Sequence, residues 1–380
     1  MTHPHPPTLP LLFIGGQKTW ELPELTALNT LPPHALAIPL PGTPSSAADP
    51  ASSPWFQSLC GTWDFKLLPR PEAVTAEALA GDGWAPIQVP GNWTMQGFGT
   101  PHYTNVQMPF PHLPPHVPED NPTGVYRRSF EVPASWKGRR IVLHIAGCEG
   151  ACYVYLNGEP VGLHKDSRTP AEYDLSQLVR FDAPNELVAV VLRWSDASFV
   201  EDQDHWWQSG IHRDVFLYAT DTVYLADLFA QPELNDDLSA GMLRVRCTLD
   251  AVGQPPEHTR VEAQLFDPSG KPVFAQPLSA SYRQLTSYWG AARPARQEVT
   301  LKGDVPAPLL WSAETPHLYT LVVTVHGPAG PESSAVQIGF RSVVVRDRQL
   351  LVNGVPVMIK GVNRHDHSDT AGKAVSRELM

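Results

Sequence analysis

Forty prolines spread over 380 residues constrain this chain more than any other feature of its sequence. Each proline removes a backbone N–H and holds φ near about −65°, which costs a helix interior about 3 kcal/mol or more. At about twice the usual ~5% share, they imply many turns and few long helices. The expected fold is therefore mainly β. Hydrophobic residues at 42% and charged residues at 18% belong to an ordinary soluble globular protein. Its length allows two or three domains at ~100–200 residues each.

The apolar pattern divides the chain. Residues 1–50 are rich in Pro, Thr and Ala and read as an extended arm, in which "TWELPELTALNTLPPHA" offers Trp20, Leu22, Leu25 and Leu28 for docking on something larger. From 51 to 220 the text alternates: "RIVLHIAG" points Ile141, Leu143 and Ile145 one way, and "NELVAVVLRW" is apolar on both faces, as at the centre of a sandwich. Asn157-Gly158 between two such runs predicts a hairpin with a type I′ turn, because both residues accept positive φ. Residues 221–341 carry further strands ("LRVRCTLDA", "RVEAQLFD", "LYTLVVTVHG"), about seven in all, which suits an immunoglobulin-like sandwich. The stretch "ASYRQLTSYWGAARPAR" reads as a surface loop. Residues 342–380 hold a second hairpin around Asn353-Gly354 and then one apolar strand, Leu350–Val362, running into "GVNRHDH".

Acidic residues exceed basic ones by 39 − 28 = 11, and the basic ones are dispersed, so a nucleic-acid partner is not expected and a neutral ligand fits better. Cys60, Cys148, Cys152 and Cys247 form no CxxC pair, and no charged n-region with a long apolar h-region opens the chain. These point to free thiols in a cytoplasmic protein. Apolar runs of about six residues are far below the ~20 that span a bilayer, so no membrane association is expected.

Three stretches carry chemistry. In "RWSDASFVEDQDHWWQSGIHRDV", Glu201, Asp202 and Asp204 precede Trp206 and Trp207. Carboxylates accept bonds from vicinal hydroxyls and flat rings cover the C–H face of a sugar, although a solvated acidic loop beside core tryptophans explains the same text. The spacing is not that of an EF-hand. In "VPGNWTMQGFGTPHYTNVQMPF", Asn105 has both donors and an acceptor for reading hydroxyl orientation, or simply bonds its own loop. In "RHDH", His365 and His367 lie two apart and face one side of an extended strand. Metal chelation there lacks a third ligand, so a polar rim or a substrate contact at the end of a barrel strand remains.

Together with "PEDNPTGVYRRSFEVPASW", "KDSRTPAEYDLS", "LWSAETPHLYTLVV", "IGFRSVVV" and "LLVNGVPVMIKGVNRHDH", these stretches resemble the N-terminal part of the large β-galactosidases of glycoside hydrolase family 2, in the same order over some 350 residues. The resemblance implies a jelly-roll sugar-binding domain (51–220), an immunoglobulin-like sandwich (221–341) and the first strand of an incomplete (β/α)₈ barrel (342–380). It also places galactose contacts on Asn105, Asp204 and His365, with Asp204 in addition a sodium ligand and His365 the transition-state stabiliser. "EDQD" resembles the β-galactosidase branch more than the β-glucuronidase or β-mannosidase branches. The sequence departs at Lys165, where relatives commonly carry glutamine beside a surface cation, and at Asp366, where glutamate is frequent.

Retaining hydrolysis requires two carboxyl groups about 5–5.5 Å apart. The resemblance places both, and the magnesium ligands of the complete enzyme, on later barrel strands. Catalytic carboxylates are therefore expected outside this chain, which by itself is expected not to turn over a β-galactoside. The expected partners are the sugar and either the remaining catalytic portion or further copies of the enzyme. The alternative is a carbohydrate-binding protein without chemistry.

Overall fold

The alternating segments between residues 56 and 220 form two antiparallel sheets packed face to face. The computed structural model describes residues 8–42, 49–105, 107–253, 259–281 and 297–380. The larger sheet has seven strands in the order Ala27–Leu28, Glu159–His164, Ala151–Leu156, Asn185–Leu192, Thr123–Phe130, Gly61–Leu68, Ala85–Val89. The smaller runs Ala171–Asp174, Arg140–Ile145, Val215–Thr220, Phe56–Ser58. Successive side chains on a strand alternate between faces. Cys152, Val154, Leu156, Leu187, Ala189 and Val191 thus point inward against Ile141, Leu143, Ile145, Leu217 and Ala219, and all are buried.

The opposite faces are buried where the arm covers them. Leu12 and Trp20 pack on Tyr153, Tyr155, Val188 and Val190 from the outer face of the seven-stranded sheet. Ile38 and Leu31 cover Val142, Phe216 and Tyr218 on the outside of the smaller one. A strand that is apolar on both faces therefore has a cover for each.

Residues 223–338 build a second sandwich. A sheet of Val223–Leu234, Ala240–Ala251 and Gln297–Pro306 faces one ordered Leu278–Ser281, Arg260–Phe266, Tyr319–Gly327, Gly330–Ile338, Leu40–Pro41. Leu243, Val245 and Cys247 meet Val261, Leu265 and Val323 between them. The last strand again comes from the arm, which pairs Leu40 with Ser333 and Pro41 with Glu332. Arg139 and Glu332 form an ion pair between the two sandwiches, and the Ala35 N–H donates to Asp227 Oδ1 at 2.9 Å. Most of the "ASYRQLTSYWGAARPAR" stretch lies outside the described residues.

Both predicted Asn-Gly hairpins are present. Asn157 and Gly158 have φ of 55° and 85°, Asn353 and Gly354 of 51° and 77°. The second joins Gln349–Val352 to Val355–Pro356, with Val343–Arg346 on the other side. The expected strand Leu350–Val362 is only partly formed, because its ladder ends at Pro356. Among the described residues nothing pairs with 358–362, and Met358, Ile359 and Val362 are at least 80% exposed. A strand exists through bonds to a neighbour, so without one the apolar run has no ladder to join.

One contact of the arm depends on pH. Glu172 is buried and accepts from His34 Nε2 at 2.6 Å, His144 Nδ1 at 2.6 Å and the Tyr218 hydroxyl at 2.9 Å. Burial alone would raise its carboxyl, but the two imidazoles hold it at about 2. The bond to Glu172 lifts His34 above its ordinary value against its own burial. The Glu172 contribution is full above its unfolded pKa of about 4.3 and fades as pH falls toward 2, whereas that of His34 is full below about 6.5 and disappears as pH rises through its folded value. Amide protection over residues 29–36, corrected for intrinsic exchange, should therefore fall as pH rises above neutrality. A His34→Asn variant should lack that dependence; a flat wild-type profile would remove the link.

Candidate functional site

Trp206 and Trp207 are adjacent and have opposite fates. Strand His205–Trp207 pairs with His102–Thr104, setting Trp206 opposite Tyr103 and His205 opposite Thr104. Alternation sends Trp207 inward, where it is 3% exposed and donates to Thr104 Oγ1 at 2.6 Å. Trp206 and Tyr103 point outward, 42% and 49% exposed, with ring centroids 5.4 Å apart. The ribbon thus presents an aromatic surface at the end of the jelly roll.

Asp204 immediately precedes this ribbon, and its Oδ1 accepts a hydrogen bond from the Tyr103 hydroxyl, which raises the phenol's pKa. The two side chains line a cavity of about 480 Å³ whose other walls include Trp206, His212, His365 and His367. The sequence-predicted Asp204 and His365 are therefore brought together. Asn105 is not among the lining residues: it is exposed in the turn after Thr104 and lines a neighbouring depression, with Tyr103 between the two.

Three imidazoles of this cavity, those of His205, His212 and His367, are held toward neutrality. Burial brings His212 to about 4, and His367 lies below its ordinary value through burial and the nearby Lys373 and His365. His367 Nε2 is 2.9 Å from the Gln208 side-chain nitrogen, so the amide donates and the imidazole proton belongs on Nδ1. The ring also lies nearly parallel to Trp206, at 24° and 6.4 Å between centroids. Arg168, Arg213 and Lys373 also line the cavity, and none of the three was singled out from sequence. Only proximity after folding marks them, since each stands alone in its local text.

Among the described residues no group of three or more His, Cys, Asp or Glu side chains could hold a metal ion. Asp202 Oδ1, two positions from Asp204, is buried with no partner among those residues. Carboxylate oxygens are of the kind a hard cation such as sodium takes. At Lys165, where the sequence departs from the family pattern, Nζ is 2.9 Å from the Leu22 carbonyl and 2.8 and 3.0 Å from the two carboxylate oxygens of Asp196. An ammonium group there holds the arm against the jelly roll.

Three family models match the chain in succession: the glycosyl hydrolases family 2 sugar binding domain over residues 56–221, glycosyl hydrolases family 2 over 223–341 and the glycosyl hydrolases family 2 TIM barrel domain over 343–380. A β-galactosidase of Psychromonas ingrahamii is 39% identical over 371 residues, covering 96% of this chain and 35% of that protein. One from Pectobacterium atrosepticum is 37% identical over 374 residues, covering 97% and 35%. The chain thus spans about a third of the length of these curated relatives. Its fold is similar to that of a Bacteroides uniformis β-glucuronidase, with a TM-score of 0.69 at 23% identity over 85% of this chain and 37% of the other.

Proposed function

Because the chain belongs to glycoside hydrolase family 2, we propose that it forms the sugar-binding part of a retaining β-galactosidase acting on terminal non-reducing β-D-galactosides, lactose among them. The observation that carries this reading is the shared cavity of Asp204 and His365 beside the outward rings of Tyr103 and Trp206. A carboxylate accepts bonds from neighbouring hydroxyls while an aromatic face covers the C–H side of the ring. Asp204 contacts the galactose and holds sodium, His365 steadies the transition state, and Asn105 reaches the sugar from the adjoining turn. Magnesium belongs to the complete enzyme.

Retention needs an acid/base and a nucleophilic carboxyl group about 5–5.5 Å apart. On this reading both come from barrel residues outside 1–380, supplied with this segment or by a partner, and the active enzyme is an assembly. The four free cysteines support a cytoplasmic location. No helix among the described residues is long and apolar enough to cross a membrane.

Incubation with a chromogenic β-galactoside, with and without the family's remaining barrel portion in trans, tests the proposal. Hydrolysis only in the combined sample is expected; tight galactoside binding that never leads to hydrolysis would favour a lectin. In the active assembly, Asp204→Asn should weaken galactoside binding by about 1.5–3 kcal/mol, the range for hydrogen bonds to charged groups. Unchanged affinity and sodium response would reject that role.

A further inference from the structure

Between Pro356 and His367 the chain that carries His365 belongs to no sheet, yet His365 sits in a defined cavity wall. What fixes it lies just downstream. Residues 368–372 close on themselves through mutual backbone bonds of Ser368 and Gly372, at 2.8 and 3.0 Å. This turn lies flush on the jelly roll. A Cβ at Gly372, whose φ is +63°, would come within 2.6 Å of Gln208 Oε1 and 2.7 Å of Asn92 Oδ1. Next in sequence, the Lys373 backbone N–H donates to Asn92 Oδ1 at 2.7 Å, and Asn92 is itself fully buried and tied to the Ser209 carbonyl.

The side chain of Lys373 goes deeper. Its ammonium reaches Glu149 Oε1 at 2.8 Å, in a pair whose side chains are 13% and 3% exposed. Glu149 stands on the short strand Cys148–Glu149, paired with Gly210–Ile211, and also accepts the Gln208 N–H at 3.2 Å. Its second oxygen has no partner among the described residues. Burial by itself would raise the Glu149 carboxyl, but Lys373, with smaller help from Arg168 and His212, brings it below its ordinary value. One buried carboxylate on the sandwich therefore has one ammonium to satisfy it, and that ammonium comes from the incoming barrel segment.

We propose that Lys373 is a positioning residue of the sugar site: its ion pair with Glu149 docks the 368–373 turn on the jelly roll and thereby holds the wall bearing His365 and His367 opposite Asp204. The link is short. Gln208, whose backbone meets Glu149, also bonds His367, and His367 stacks on Trp206. Without the pair, the segment from 357 to 373 retains contacts too few to set one orientation of His365, and the cavity loses one side. Lys373 borders the cavity, but its ammonium is turned to the buried Glu149, so its role here is to position the wall.

The inference rests on the galactoside reading for its kinetic consequence, but its structural half is testable alone. In the assembled enzyme, Lys373→Met and Glu149→Gln/Lys373→Met should each raise KM for a chromogenic β-galactoside at least tenfold, and Lys373→Arg should restore it to within a few-fold. The double variant matters because it leaves no lone buried charge, so a general folding defect is relieved while the docking is not. Hydrogen exchange on the same proteins should show protection lost over 361–373 and kept over the strands Ala151–Leu156 and Asn185–Leu192. Unchanged KM together with unchanged protection of 361–373 in the double variant would overturn the proposal, as would loss of protection throughout the jelly roll. A wild-type assembly with no β-galactoside turnover would defeat the functional reading instead, leaving the exchange result to decide the clamp.

Discussion

Replacing Trp20 by alanine is expected to destabilise the first sandwich by about 3–5 kcal/mol, the range for truncating a buried large aromatic. The indole is 1% exposed and packs edge-on against Phe13, 5.2 Å between ring centroids. It shares a core with Tyr153, Tyr155 and Val190. Its neighbours tighten the same seam: Thr19 Oγ1 lies 2.9 Å from the Tyr153 hydroxyl, the Tyr155 hydroxyl donates to the Pro10 carbonyl, and the Asp196 N–H donates to the Trp20 carbonyl at 2.8 Å. Denaturant unfolding followed by far-UV circular dichroism measures the loss. A change below about 1 kcal/mol, typical of surface substitutions, would mean that the arm is an accessory and that the outer face of the sheet is stable without it.

Lys165→Met should cost a similar amount, about 3–5 kcal/mol, because it leaves a buried carboxylate without its counter-ion. Lys165 is 3% exposed and Asp196 8%. Burial raises the Asp196 carboxyl, an effect the lysine partly counters, so removing the ammonium exposes the full desolvation cost. Two outcomes separate charge from packing. The double variant Lys165→Met/Asp196→Asn should recover most of the lost stability, since no unpaired ion is left inside. Equal losses in single and double variants would instead assign the effect to the methylene stem and the bond to Leu22.

These two residues show what could be read from sequence and what could not. Trp20 was legible as a docking residue because a tryptophan followed by spaced leucines in a proline-rich arm has to bury somewhere. Where it docks was not legible: Ala27–Leu28 and Leu40–Pro41 are two-residue strands, too short for any periodicity to register. The double-faced apolar strand Asn185–Leu192 and the turns at Asn157 and Asn353 followed from local chemistry, as turn geometry and alternation are local properties. The run Met358–Val362 read as strand because composition reports apolarity, whereas a ladder needs a neighbour. In the site, Asp204 and Trp206 were visible as a carboxylate beside aromatics, yet only the register with His102–Thr104 determines that Trp206 faces out and Trp207 in. Glu149 and Lys373 carry no signal in the text at all, since their partnership joins positions 224 residues apart.

The arm's last strand also sets an order of events during synthesis. Leu40–Pro41 lies on the edge of Gly330–Ile338, where the Gly42 carbonyl accepts from the Ser333 hydroxyl across 291 positions. At translation speeds of about 5–20 residues per second, roughly 15–60 s separate the two halves of that pairing at the ribosome. The first β-sandwich can close in the meantime, but the second cannot seal its sheet edge until a piece made at the outset is handed back to it. An open edge invites pairing with other chains, so a nascent polypeptide missing residues 40–42 would emerge with a complete second domain and an unguarded flank.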